Sequence, residues 1–160
     1  MVSVSQKPQN LIAKKLNVTA IENGTVIDHM SPGSAIKVLE LFDLAGATRS
    51  QITVGINLKC QDGSLKDIIK IQNQNLTDLQ LDNIAVFSPK ATVNTIENFQ
   101  VVNKFQVKVP KQLKSILNCP NKLCISNHQP VESCFEVTEL VDNKCLLQCS
   151  YCDSSFRKVF

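Results

Sequence analysis

The sequence predicts an α+β protein of two modules: an N-terminal antiparallel sheet with its helices on one face, then a small β-rich domain held together by a metal. Three observations predict it. Strand-period and helix-period apolar patterns alternate through the N-terminal two-thirds of the chain. The last third carries four cysteines as Cys119-x4-Cys124 and, 24 residues later, Cys149-x2-Cys152. The 160-residue chain is 43% hydrophobic, enough for one good core, or two small ones if the second has help.

The elements follow in order. Residues 18–29, VTAIENGTVIDH, read as an extended segment broken at Asn23-Gly24 and ending in Asp28-His29. Pro32-Gly33 opens a helix in which Ala35, Val38, Leu39 and Phe42 form an apolar stripe. In ITVGINL (52–58) the alternation places Ile52, Val54, Ile56 and Leu58 on one strand face. A turn through Gln61-Asp62-Gly63 leads to a second strand, Lys66 to Ile71, making a hairpin. Thr77, followed three residues later by Gln80, is a capping-box start for a helix through Leu81, Ile84 and Ala85, stopped by Pro89. Strands near Thr92–Thr95 and Phe99–Val107 close the domain. The order βαββαβ is that of a ferredoxin-like fold with both helices on one face. The expected division is 1–103 and 104–160, with Pro110 in the connection and residues 131–148 forming two more strands.

Two close cysteine pairs about two dozen residues apart are spaced to wrap one tetrahedral ion, each pair offering two thiolates. A four-thiolate site has no open coordination position, so the expected cofactor is one structural Zn²⁺ per chain on Cys119, Cys124, Cys149 and Cys152. Two disulfides, or unliganded thiols, are the bland alternatives. At fewer than 60 residues, an apolar core alone is marginal for this module, and a metal is the expected staple. Cys60, Cys134 and Cys145 read as ordinary thiols, with Cys145 close enough in sequence to be a rival ligand.

Charge and composition narrow the function. Residues 1–103 hold nine Lys/Arg and nine Asp/Glu, so the whole +3 lies in residues 104–160. Four thiolates around Zn²⁺ carry −2, leaving the loaded module near +1. That is a poor footprint for duplex binding. Tryptophan is absent and aromatics make up 5%, which argues against a stacking platform for single strands. No nucleic acid is therefore expected as a partner, although a zinc-ribbon nucleic-acid-binding protein is the main alternative reading. The start, MVSVSQKPQNLIAKKL, lacks a signal-peptide apolar run and no segment reaches transmembrane length, so no membrane association is expected. Seven cysteines, an odd number, fit a reducing, cytoplasmic setting.

No catalytic constellation is visible: the chain has no nucleophile elbow, no phosphate-cradling glycine loop, no HExxH and only two histidines. What remains is a polar set on or beside strands. Asp28-His29 ends one strand, Lys66 and Lys70 share a strand face, and Lys104 follows the last strand. Three ammonium groups converging on one site suit a triphosphate, with Asp28 accepting from ribose hydroxyls and His29 donating to phosphate. The plain alternative is a solvated edge of lysines.

The strings GTVIDH (24–29), ITVGINL (52–58), KDIIKI (66–71), FSPKATVNTIEN (87–98), CPNKLC (119–124) and CSYC (149–152) change that balance. The chain resembles the regulatory chain of aspartate carbamoyltransferase, in order, from about Leu16 to Phe156. Residues 1–15 match poorly. The resemblance implies a non-catalytic chain with an N-terminal allosteric and dimerisation domain that binds CTP and ATP. It also implies a C-terminal zinc domain that docks on the catalytic chain, two catalytic trimers being bridged by three regulatory dimers. It further implies allosteric control of pyrimidine biosynthesis.

Carried over by position, the implied pocket sets the base against Ala20 and Ile21, with Val18 and Val26 beside it and backbone contacts near Phe99 and Val101. Asp28 falls on the ribose contact and His29 near the α-phosphate. Lys70 falls by the ribose and base, Lys104 on the triphosphate and Lys66 on a supporting position, while Asn94 and Ile96 line the site. Phe99 stands where the family commonly has tyrosine, and Leu123 where it often has asparagine. Asn121 and Asp153 are the remaining candidate contacts to the catalytic chain.

Overall fold

The computed structural model describes residues 19–41, 50–139 and 144–159. Val18, Phe42 and residues 1–15 lie outside the described residues. In chain order the elements are β1 (Gly24–Met30), α1 (Ser34–Leu41), β2 (Ile52–Lys59), β3 (Leu65–Gln72), α2 (Asp78–Phe87), β4 (Thr92–Glu97) and β5 (Gln100–Gln106). They continue with β6 (Gln112–Lys114), a 3-10 turn (Ile125–Asn127), β7 (Cys134–Glu139), β8 (Lys144–Cys149) and β9 (Ser155–Val159).

The first sheet has strand order β2-β3-β1-β4-β5, every neighbouring pair antiparallel. Its first four strands keep the ferredoxin-like order. The fifth is the strand expected from Phe99 to Val107, which hairpins back on β4, so the element order is βαββαββ rather than βαββαβ. Lys104 consequently lies within β5 rather than after the last strand, and the sheet runs past residue 103. The two helices cover the face that carries Ile27, Ile69, Ile71 and Val93, and Ala35, Val38, Ile84 and Ala85 complete that core. Helix α2 begins as its sequence dictates. The Thr77 Oγ1 accepts from the Gln80 N–H at 3.3 Å, and the Gln80 Oε1 accepts from the Thr77 N–H at 2.9 Å.

The regular alternation expected of β2 fails at one place. Ile52 and Val54 pair with Ile71 and Ile69, but Leu58 pairs with Lys66, one residue out of step. The extra residue is a bulge in which Asn57 adopts φ 55°. Leu58 therefore turns to the face away from the helices, beside Ile68 and the bare Cα of Gly55. The cause is Asp67, fully buried, whose Oδ1 accepts from the Asn57 N–H at 2.9 Å and whose Oδ2 accepts from the Ala35 N–H at 3.1 Å. One buried carboxylate thus joins β3, the bulge and the start of α1, where the helix dipole favours a negative charge.

The second sheet has order β6-β7-β8-β9, all antiparallel. Residues 131–148 do contain two strands, but short flanking strands β6 and β9 were not legible in the pattern. Leu113, Phe135 and Leu147 form its core, and the Phe156 ring meets Phe135 edge-on at 5.5 Å. Val86, Phe87 and Val109 join the same cluster, so the end of α2 and the linker belong to both modules. The Lys158 ammonium sits 4.3 Å from the centre of the Phe87 ring.

Candidate functional site

The face of the first sheet turned away from the helices gathers the polar set. Along β1 the side chains alternate, so Val26 and Asp28 stand on this face while Ile27 enters the core. Register then builds a rank across four strands: Lys70 opposite Val26, Val26 opposite Asn94, and Asn94 opposite Lys104. At roughly 4.8 Å per strand, Lys70 and Lys104 stand about 14 Å apart at the ends of the rank. A second rank places Ile96 opposite Val101. Ile21, Ile68 and Ile96 are buried on this side without belonging to the helix-covered core.

Two of the three lysines are engaged by neighbouring groups of the protein. Lys66 grips Asp28, its Nζ lying 2.7 Å from Oδ1 and 3.0 Å from Oδ2. Lys70 Nζ donates to the Thr19 carbonyl at 2.6 Å. Burial pushes the Lys70 ammonium below its ordinary value, and the Asp28 charge only partly restores it. For Asp28, burial alone would raise the carboxyl. The hydrogen bonds from Lys66 and from the His29 N–H, at 2.7 Å, outweigh it and hold the group below the usual 3.8. A carboxylate has about four lone-pair sites, so Asp28 can still accept from a ligand hydroxyl. The His29 ring is exposed, 3.4 Å from the same carboxylate, on a backbone bulge with φ 56°. Beside it opens a groove of about 620 Å³ lined in part by His29, Cys60, Ser64, Lys66, Lys90 and Gln106.

The segment 19–23 carries Ala20, exposed, and Ile21, buried, at the end of this face. Phe99 occupies the two-residue β4–β5 turn, its ring 65% exposed, and Val101 is 57% exposed on the strand that follows. Sequence reading missed how this end is tied. The Asn23 Oδ1 accepts from the Asn98 N–H at 3.0 Å, and the Glu22 carbonyl accepts from the Phe99 N–H at 2.9 Å. Asn23-Gly24 was readable only as a turn signal, and nothing in the string shows what the amide holds. Gly24 is obligatory: its φ is +132°, and a Cβ there would lie 2.1 Å from the Ile71 carbonyl oxygen.

The four predicted cysteines come together. Cys119 and Cys124 lie on the loop between β6 and β7, Cys149 ends β8, and Cys152 sits in the turn to β9. All four Sγ atoms fall within 4.8 Å of one another, with Cys119–Cys152 and Cys124–Cys149 at 3.7 Å. A tetrahedron with metal–sulfur bonds of about 2.3 Å has edges of about 3.8 Å, so the donor set fits a tetrahedral thiophilic ion. The same separations are far too long for disulfides of about 2.05 Å. Cys145 is buried on β8, four residues before Cys149, and is not among the four.

The surroundings favour thiolates at one end of the cluster. The Ser154 hydroxyl and backbone N–H bring Cys152 down to about 6, whereas burial pushes Cys119 up to about 12. A bound cation removes that second penalty. Asn127 stiffens the first knuckle, its Nδ2 donating to the Cys119 and Asn121 carbonyls at 2.9 Å each. Asn121 in turn accepts from the Leu123 N–H at 3.0 Å, leaving Leu123 88% exposed at the tip. Asp153 is exposed beside Cys152 with φ 54°.

A ferredoxin-like sheet with a polar ligand-sized face, followed by a module closed around four thiols, defines a two-domain binding protein with a metal-binding C-terminal domain. Family models match both parts: the allosteric domain of the aspartate carbamoyltransferase regulatory chain over residues 16–108, and the metal binding domain of the same chain over residues 111–159. The chain is 44% identical over 147 residues to the aspartate carbamoyltransferase regulatory chain of Psychromonas ingrahamii, covering 92% of this chain and 95% of the relative. It is 47% identical over 142 residues to that of Aeromonas hydrophila, covering 89% and 91%. It is 46% identical over 145 residues to that of Tolumonas auensis, covering 91% and 93%. The chain belongs to the aspartate carbamoyltransferase regulatory chain family, and its part is regulatory rather than catalytic. Among the described residues, no helix is long and apolar enough to cross a membrane.

Proposed function

We propose that this cytoplasmic chain binds CTP and ATP on the outer face of its N-terminal sheet and passes the effect, through its zinc domain, to the catalytic chain of aspartate carbamoyltransferase. Control of pyrimidine biosynthesis follows from that assembly. The observation that carries the reading is the cross-strand rank Lys70, Val26, Asn94, Lys104, with Asp28 and Lys66 on the same face. Asp28 accepts from the ribose, while His29, Lys66 and Lys104 neutralise the phosphate chain. Ala20, Ile21, Val26 and Val18 border the base together with Phe99 and Val101, and Lys70, Asn94 and Ile96 complete the floor.

One zinc on Cys119, Cys124, Cys149 and Cys152 shapes the surface that meets the catalytic chain, with Asn121 and Asp153 as polar contacts and Leu123 between them. The exposed edge of β2, with Val54 and Ile56 half out in solvent, is available for pairing in a regulatory homodimer. A nucleotide alters catalysis only through its different affinity for the low- and high-activity assemblies, a coupling on the order of 1–3 kcal/mol. The shared cluster of Val86, Phe87, Val109 and Leu113 supplies a physical link between the two domains. The functional division at residues 1–103 and 104–160 belongs to this proposal.

The test is recovery of the catalytic chain with tagged protein from cell extract, together with calorimetric titration by CTP and ATP. Absence of both the partner and nucleotide binding overturns the proposal. A zinc-ribbon nucleic-acid binder would show instead a steeply salt-dependent affinity for DNA or RNA.

A further inference from the structure

Resting on that reading of the sheet face, we propose that Asn23 is a positioning residue for base recognition, acting through the β4–β5 turn rather than by touching the ligand. The segment 19–23 crosses one end of the polar face and is clipped at both ends. At Thr19 the clip is the Lys70 ammonium, at 2.6 Å. At the other end Asn23 joins three pieces of chain. Its Oδ1 accepts from the Asn98 N–H at 3.0 Å, its carbonyl accepts from the Asn73 N–H at 3.0 Å, and the neighbouring Glu22 carbonyl accepts from the Phe99 N–H at 2.9 Å.

The joined pieces are strained. Asn73, Asn98 and Phe99 all have left-handed backbones, with φ of 54°, 49° and 63°. Asparagine tolerates that region, but phenylalanine does so poorly. The Phe99 ring is 65% exposed, so core packing does not hold it there. The bond from the Phe99 N–H to the Glu22 carbonyl does, with the Asn23 side chain holding the preceding Asn98 N–H, and strain maintained by its surroundings is characteristic of ligand sites. The segment carrying Ala20 and Ile21 is thus joined to the turn carrying Phe99 through Glu22 and the Asn23 amide, so the relative placement of the two depends in part on that amide. Lys104 sits at an in-register position of β5 and Lys66 is paired with Asp28 near the other end of β1, away from Asn23. Loss of the Asn23 acceptor then loosens the base end and leaves the phosphate end in place.

The experiment is calorimetry on the full chain with CTP and, separately, inorganic tripolyphosphate. Asn23→Ala is expected to weaken CTP binding by about tenfold, the size of one lost hydrogen bond, while tripolyphosphate affinity stays within about twofold. Asn23→Asp, which keeps an acceptor for the Asn98 N–H, is expected to restore most of the CTP affinity. Unchanged CTP binding by Asn23→Ala overturns the inference, as does equal loss of both ligands or failure of Asn23→Asp to rescue. Wild-type chain that binds neither CTP nor ATP overturns the nucleotide reading itself, a result distinct from binding that is indifferent to Asn23.

Discussion

Lys66 holds Asp28 by both carboxylate oxygens, at 2.7 and 3.0 Å, across the β1–β3 pair on the polar face. The pair makes the site electrostatically economical before a ligand arrives. It also attaches a pH dependence to it. Asp28 titrates below its ordinary 3.8 in the folded protein, so its stabilising contribution is fully present above 3.8 and disappears as the pH falls through the lower folded value. Asp28→Asn is expected to flatten the acid limb of stability below about pH 4. Urea unfolding at neutral and acid pH measures this. The same variant is expected to lose preference for the ribonucleotide over its 2′-deoxy form, read by titration with both.

Lys104 stands at the far end of the rank, opposite Asn94. Lys104→Ala is expected to weaken CTP binding by roughly 1.5–3 kcal/mol, the range for losing a charge-assisted contact. Metal content and partner recovery should be unchanged, because the residue lies on neither the thiol cluster nor the C-terminal sheet. Equal affinities of wild type and variant would leave the lysines as a solvated face.

The thiol cluster makes the C-terminal module conditional on its metal. Binding free energies of roughly 10 kcal/mol or more for structural zinc become folding free energy in such a module. Serine at Cys119, Cys124, Cys149 or Cys152 is expected to unfold it and abolish association with the catalytic chain. The first sheet has its own core and should persist. Serine at Cys145, buried but outside the cluster, should destabilise without removing the metal. Metal analysis of each purified variant decides between these outcomes, with one zinc per chain expected for the wild type.

Asp67 is expected to be the most sensitive polar residue outside the two sites. Asp67→Ala leaves the Ala35 and Asn57 N–H groups without their acceptor at the start of α1 and at the β2 bulge. The cost should be about 1–3 kcal/mol, chiefly from the buried Ala35 N–H losing its partner, since the Asn57 N–H is closer to solvent. Chemical denaturation of wild type and variant at one pH checks it. A loss below about 0.5 kcal/mol, the level of an ordinary surface change, would show that water replaces the carboxylate.

Local rules determined a large part of this protein. The Thr77–Gln80 capping box, the position of α2, the hairpin through Asp62-Gly63 and the four metal-spaced cysteines were all legible because each depends on residues close together in the chain. The strand alternation put Lys66 and Lys70 on one side of β3, as the structure has them. Tertiary structure decided what depends on distant partners. The bulge that turns Leu58 away exists because Asp67, on another strand, recruits the Asn57 N–H. The strand near Phe99–Val107 was legible too, whereas the short strands β6 and β9 exist because a neighbouring edge was available to pair with them. That Lys66 pairs with Asp28, and that Lys104 stands three strands from Lys70, likewise depend on how the strands are ordered. Side-chain period is a property of one strand, whereas register, bulges and ion pairs are properties of two, and a single string does not contain the second partner's position.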